Sequence, residues 1–265
     1  MARANCILIT IPISHFCEKA RWALDRAGVD YEERAHMQVL HWVAVKRARS
    51  PGRTVPVLVC GDTVLSESAD ILAFADTRAP QARRLYPDDP QARAEIRALE
   101  QGFDERLGPE ARRWMYDNIR GERALVKRYA PTGVPAWQRL ALPVAYWPVA
   151  KIIDRYFDIN AATAARSLAE VRATFDEVAE RLSDGRAYLA GDRFSAADLT
   201  FAALSAAVLM PPEYGVPLPQ PDELPPAMAA VARELREHPA GQHALRMFRE
   251  ERRPDASSAA AARRR

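Results

Sequence analysis

The first 80 residues alternate between short apolar runs and amphipathic stretches. Residues 6–11 form a continuous apolar run with β-branched isoleucines, which predicts a buried strand. Ser14 then stands where a helix N-cap belongs. Phe16, Ala20, Ala23, Leu24 and Ala27 follow at helical spacing, and Gly28 supplies the stop. Residues 30–36 alternate weakly, as a second strand would, and 39–47 read as a short helix. Val55-Pro-Val-Leu-Val-Cys, the turn pair Gly61-Asp62 and Thr63-Val-Leu make a hairpin signature. Ser66-Glu67-Ser68 opens a helix over 69–76, so the predicted order is β-α-β-α-β-β-α.

After a polar, proline-rich stretch at 78–90 the pattern is helical almost throughout. Residues 92–118 form one long amphipathic repeat with a possible break at Gly108-Pro109, and 163–182 form another. Ser195-Ala-Ala-Asp198 is a capping box with the shorter acid, opening an apolar helix to Leu209. Seven prolines in 211–226 predict an extended loop, and helices at 227–237 and 241–252 close the fold. Residues 119–160 are rich in aromatics, and Pro135, Pro143 and Pro148 argue there against one continuous helix. Residues 254–265 are of low complexity and read as a frayed end.

Charge alters the picture less than the net value suggests. The 265 residues carry 38 cations and 35 carboxylates, a surplus of three. Residues 249–265 hold six arginines against Glu250, Glu251 and Asp255, which accounts for the surplus, and residues 1–248 balance at 32 against 32. A basic nucleic-acid-binding body is therefore not indicated. The longest nearly apolar run, 140–150, is eleven residues with two prolines, far short of the roughly 20 needed to span a bilayer. The N-terminus lacks the pattern of a secretory signal, which predicts a cytoplasmic protein. Three cysteines, at 6, 17 and 60, make no disulfide framework. His36 with His41, and His238 with His243, are five apart and do not share a helical face, so no metal is expected. Without a G-x-G-x-x-G or G-x-x-x-x-G-K-S/T pattern, no nucleotide cofactor is expected either.

Four segments carry a resemblance: ISHFCEKARWAL from Ile13, VPVL from Val55, LSESADI from Leu65 and YLAGDRFSAADLTFA from Tyr188. In this order and at these separations they resemble the cytosolic glutathione S-transferases. The resemblance implies an α/β, thioredoxin-like, glutathione-binding domain over 1–80, followed by an all-helical domain over 91–253 with an unusual insert at 119–160. It implies a homodimer with glutathione as co-substrate.

The resemblance also distributes roles. Ser14 falls where the family places its activating hydroxyl or thiol, so the same residue reads as helix cap and as donor to the glutathione sulfur. A hydrogen bond and a helix N-terminus both favour thiolate over thiol. Val55-Pro56 is either an ordinary edge-strand proline or a cis bond that turns the Val55 backbone outward to pair with a tripeptide. Glu67 and Ser68 read as first-turn capping residues; in the family they anchor the γ-glutamyl end. Arg53 lies near the position that serves the glycine carboxylate.

Trp114, Met115, Tyr116, Tyr146 and Trp147 are candidates for the wall of a second-substrate pocket. His15 replaces the proline common in the family and reads either as a partner of the thiolate or as a solvated side chain. Lys19 reads as a surface residue and Arg21 as one half of an interdomain ion pair. Cys17 takes the second place of a C-x-x-C pattern whose first place is serine. It is a buried small residue or, alternatively, a redox thiol.

The implied function is therefore a transferase for detoxification, which activates glutathione or a related small thiol against an apolar electrophile. A thiol-dependent reductase or peroxidase using Cys17 is one alternative. A non-catalytic scaffold acting through 119–160 is the other.

Overall fold

In the computed structural model, which describes residues 6–252, the strands are β1 (Cys6–Thr10), β2 (Tyr31–Ala35), β3 (Val57–Cys60) and β4 (Thr63–Leu65). The sheet order is β2-β1-β3-β4, with β1 parallel to β2 and antiparallel to β3. The parallel pair needs a crossover, and α1 (His15–Ala27) supplies it. Gly28 ends α1 in the left-handed conformation at φ 71°, and its amide returns to the carbonyls of the last turn. The short α2 (His41–Arg47) follows β2, and α3 (Ser68–Asp76) follows the hairpin. This reproduces the predicted order. The stretch 254–265 lies outside the described residues.

The second half is helical: α4 (Pro90–Gly102), α5 (Gly108–Ile119), α6 (Arg123–Tyr129), α7 (Ala136–Tyr156), α8 (Ala161–Leu182), α9 (Ala196–Leu209), α10 (Pro226–Glu237) and α11 (Pro239–Glu251). A π-turn at Phe103–Leu107 joins α4 to α5, and Pro109 falls in the first turn of α5, where its missing N–H costs nothing. Every residue of α9 is buried, so this helix is the core of the second half. Asp198 does more than cap it. Its carboxylate accepts from the Ser195 amide and hydroxyl and from the Leu189 amide, and it pairs with His243 at 3.1 Å.

Three sequence expectations change. First, α7 is one helix of 21 residues despite its internal Pro143 and Pro148. The two carbonyls deprived of a donor belong to Arg139 and Val144, both exposed, so water can serve them. Second, Cys6 and Cys60 form a disulfide. Both lie at strand ends, and the antiparallel register of β1 and β3 sets them opposite one another. Third, Lys19 takes the interdomain role expected of Arg21, and neither residue is at the surface. Lys19 is fully buried and bridges the halves, 2.8 Å from Glu100 and 2.6 Å from Asp104, whereas Arg21 pairs with Glu18 and Glu33 inside the first half. Positions 15, 19 and 22 of α1 all contact the helical half, so the lysine lies on the interdomain side.

The disulfide has a chemical consequence. The folded protein should show no titratable thiol, because Cys17 is fully buried, and denaturation should release one. Reduction under denaturing conditions should bring the count to three. Titration with a thiol reagent decides this, and three thiols before reduction would refute the bond.

Candidate active site

The loop between β1 and α1 places Ser14 at the edge of a pocket between the two halves. Ser14 is the extended residue before α1, at φ −75° and ψ 119°, and its side chain makes no capping bond to the helix. The pocket wall brings Ser14 together with Arg53 and Val55 from the first half, and with Arg112, Met115 and Tyr116 of α5. The Val55–Pro56 bond is cis. Arg53 is exposed, its guanidinium 5.6 Å from the Trp42 ring.

Glu67 and Ser68 stand at the start of α3, the first exposed and the second buried, and neither lines this wall. Burial pushes the Asp104 carboxyl upward against the attraction of Lys19, and the nearby charges of Glu100 and Glu67 add to the rise.

A second cavity opens from the first and shares Ile13, Gln38, Met115, Tyr116 and Ile153 with it. Its remaining walls are mostly apolar: Met37 from the first half, Leu125 of α6, Leu142 and Tyr146 of α7, and Met210. The space is ≈ 980 Å³ including its open mouth, within the range of small-molecule sites. Residues 138, 142, 146, 149 and 153 recur at helical spacing on the inner side of α7. Gln138 locks that helix down by accepting from the Met37 amide at 2.8 Å and meeting His36 at 2.9 Å.

Of the aromatics expected at this wall, Tyr116 and Tyr146 are there. Trp114 is buried in the core instead, and Trp147 points outward from α7. Each residue of an α-helix is rotated about 100° from the one before, so 114 and 116 lie about 200° apart and cannot share a face.

The electrostatics departs from expectation at His15. The ring is buried, neither solvated nor charged, and its Nε2–H donates to the Gly108 carbonyl at 3.0 Å. Burial, then the charge of Arg112, lowers its pKa to about 3. Cys17 is also inert in this geometry: burial pushes its thiol up to about 11, against the opposing pull of Arg21. A thiol so disfavoured as thiolate is a poor redox nucleophile.

Arg112 is the residue that the sequence reading missed. Its guanidinium lies 4.1 Å from the Phe157 ring and 5.8 Å from that of Phe16. Its Nε has no hydrogen-bond partner and its side chain no ion pair among the described residues, and burial lowers its pKa. The helical pattern of 92–118 carries several arginines, and nothing in their spacing singles this one out.

His15 makes stability depend on pH. The unfolded imidazole titrates near 6.5 and the folded one near 3, so the unfolded chain binds the proton first. Stability is therefore full above about pH 7 and falls on acidification through this window, by about 1.4 kcal/mol per pH unit from this group. Thermal melts of His15→Gln should show a flatter pH slope than wild type between those limits; equal slopes would remove His15 as the cause.

A crossover βαβ with an antiparallel hairpin, fused to a helical bundle, with a hydroxyl at the first helix N-terminus facing an interdomain pocket, defines a thioredoxin-like domain joined to an all-helical one. The family models described as "Glutathione S-transferase, N-terminal domain" and "Glutathione S-transferase, C-terminal domain" match residues 8–83 and 161–233. The chain belongs to the glutathione S-transferase superfamily.

Similar solved structures include a theta class glutathione S-transferase from Xanthomonas axonopodis pv. citri with glutathione bound. It is 22% identical over 91% of this chain and 97% of that one, with TM-score 0.57. A glutathione S-transferase from Xanthobacter autotrophicus Py2 is 19% identical over 92% and 93%, with TM-score 0.56. No curated protein matches the sequence significantly. Both family matches leave out 84–160, which holds Arg112 and the whole of α6 and α7. Among the described residues no group of three His, Cys, Asp or Glu side chains could hold a metal ion.

Proposed function

We propose that the protein activates the thiol of glutathione, or of a closely related small thiol, for attack on a small apolar electrophile. The observation that carries this reading is the Ser14 hydroxyl, not engaged in capping, at the junction of a polar pocket and an apolar cavity. Bound there, the sulfur accepts a hydrogen bond from Ser14 and meets the N-terminal amides of α1. Arg112, a half-buried cation with no ion pair among the described residues, adds positive potential on the opposite wall. All three favour the thiolate, which is the nucleophile. The thiol proton leaves to solvent as the thiolate forms. The thiolate then attacks the electrophilic carbon held in the apolar cavity, and a C–S bond forms. Either the carbon–halogen bond breaks with halide departing as the anion or, on addition to an enone, the resulting enolate takes a proton from solvent.

In this reading the Val55 backbone aligns the tripeptide, Arg53 takes its glycine carboxylate, and Glu67 and Ser68 anchor its γ-glutamyl end. The theta class relative carries glutathione in its structure, which supports the choice of thiol. As the family resemblance implies, the working unit is a cytoplasmic homodimer.

Calorimetry with millimolar glutathione, together with conjugation assays on neutral aromatic halides and enones, tests the proposal. Binding plus turnover is expected; an intact fold that neither binds nor turns over would overturn it. Arg112→Gln should raise the apparent pKa of the bound thiol, moving the kcat/KM profile to higher pH, and Arg112→Lys should restore part of the shift. An unchanged profile in Arg112→Gln would remove the arginine from the mechanism.

A further inference from the structure

Helix α7 is apolar on both sides, and the function proposed for the pocket uses only one of them. Residues 138, 142, 146, 149 and 153 face inward. On the opposite side Trp137, Leu140, Val144 and Trp147 recur at intervals of three, four and three residues. Leu140 is 81% exposed and Val144 85%, and both tryptophans are more than half exposed. An exposed stripe of this kind marks an interaction surface.

The charges around the stripe indicate what covers it. Residues 119–157 hold seven arginines and lysines against Glu122 and Asp154, a surplus of five in a chain whose total surplus is three. Arg123, Lys127, Arg139, Lys151 and Arg155 make no ion pair among the described residues. Lys151 and Arg155 continue the exposed face of α7 beyond Trp147, at intervals of four. Arg123 and Lys127 line a groove between α6 and α7 with Leu142, Pro143 and Tyr146, and the Arg123 guanidinium lies 5.4 Å from the Tyr146 ring.

An apolar stripe with tryptophans, rimmed by unpaired cations, matches an interface between hydrocarbon and anionic headgroups. A second copy of the chain would set the same cationic rim against itself. No helix among the described residues is long and apolar enough to cross a membrane, so this one can lie on a bilayer but not span it.

We propose that α6 and α7 dock the protein on an anionic phospholipid surface. Trp137, Leu140, Val144 and Trp147 enter the headgroup boundary, and the cations of α6 and α7 bind the phosphates. The inner side of the same helix roofs the apolar cavity, so docking sets that cavity beside the lipid. This inference is independent of the chemistry assigned to Ser14.

The test is cosedimentation of the full chain with phosphatidylcholine vesicles, with and without phosphatidylglycerol, at low and high salt. Binding to the anionic vesicles alone is expected, weakened by salt, with tryptophan fluorescence quenched by brominated acyl chains. The double variant Leu140→Asp, Val144→Asp alters only exposed positions, so its melting temperature should match wild type while its partition coefficient falls about tenfold or more. Three results would overturn the inference. One is no binding to anionic vesicles at low salt. Another is full binding by the double variant, or binding without acyl-chain quenching, which would leave charge alone as the cause. The third is an oligomer that the double variant splits in the absence of vesicles, which would assign the face to a second copy.

Discussion

Ser14→Ala should lower kcat/KM for conjugation roughly hundredfold, the usual cost of removing one hydrogen-bond donor from a developing anion. Glutathione affinity should change little, because in the proposed binding mode the tripeptide is held along its length and the serine meets only the sulfur. The helix should be unaffected, since the Ser14 side chain makes no capping bond that alanine would remove. Melting temperature, calorimetric affinity and turnover measured on the same preparation separate these expectations. A variant that keeps full turnover would remove Ser14 from the mechanism. One that loses stability in proportion to activity would make it a structural residue.

The second large effect is on stability. Glu18 is fully buried, with one carboxylate oxygen 2.7 Å from Arg252 Nε and 3.1 Å from the Gly215 amide, and the other 3.1 Å from Arg21. Arg252 reaches Asp25 at 2.9 Å, and Arg21 reaches Glu33 at 2.7 Å. Burial pulls the Arg252 pKa down, and Glu18 and Asp25 more than reverse it. Glu18→Ala leaves two buried guanidiniums short of an anion and an amide without its acceptor. Such a loss costs roughly 3–5 kcal/mol, a fall in Tm of about 10 °C for a chain of this size. Glu18→Gln keeps an acceptor for the amide and should cost less. Reversible urea unfolding measures both; a cost below about 1 kcal/mol for alanine would show that the remaining carboxylates suffice.

The same network qualifies the charge arithmetic. Six arginines at the C-terminal end look like a solvated tail, yet Arg252 is inside the protein, holding α1 through Glu18 and Asp25. Counting charges along a chain says where the formal surplus lies but not which charges water sees. Among the described residues, a local surplus of exposed cations lies on α6 and α7, in a segment the count of residues 1–248 averaged to zero.

Much of the thioredoxin-like half was legible because its signals are local. The apolar run at β1, the Gly28 stop, the Gly61-Asp62 turn and the Ser195–Asp198 capping box each act within a few residues. Local backbone preference is enough to read them. Ser14 was legible by its place before a helix, and Val55-Pro56 by the awkwardness of a proline opening a strand.

What depended on the tertiary structure involved partners far apart in sequence. The bond between Cys6 and Cys60 follows from strand register, which no count of cysteines reveals. The burial of Lys19 depends on Glu100 and Asp104, more than eighty positions away. The neutral His15 depends on a carbonyl of α5. Arg112 became a site residue only when α5 was laid against the start of α1.

By itself, the sequence determined the order of strands and helices in the thioredoxin-like half, the capping chemistry, and a hydroxyl at the first helix N-terminus, all consequences of short-range sterics and hydrogen bonding. Only the tertiary structure decided which charges are buried, which cysteines meet, and which face of α7 lines the cavity. Those properties depend on desolvation and on distances between remote segments, and a linear pattern contains neither.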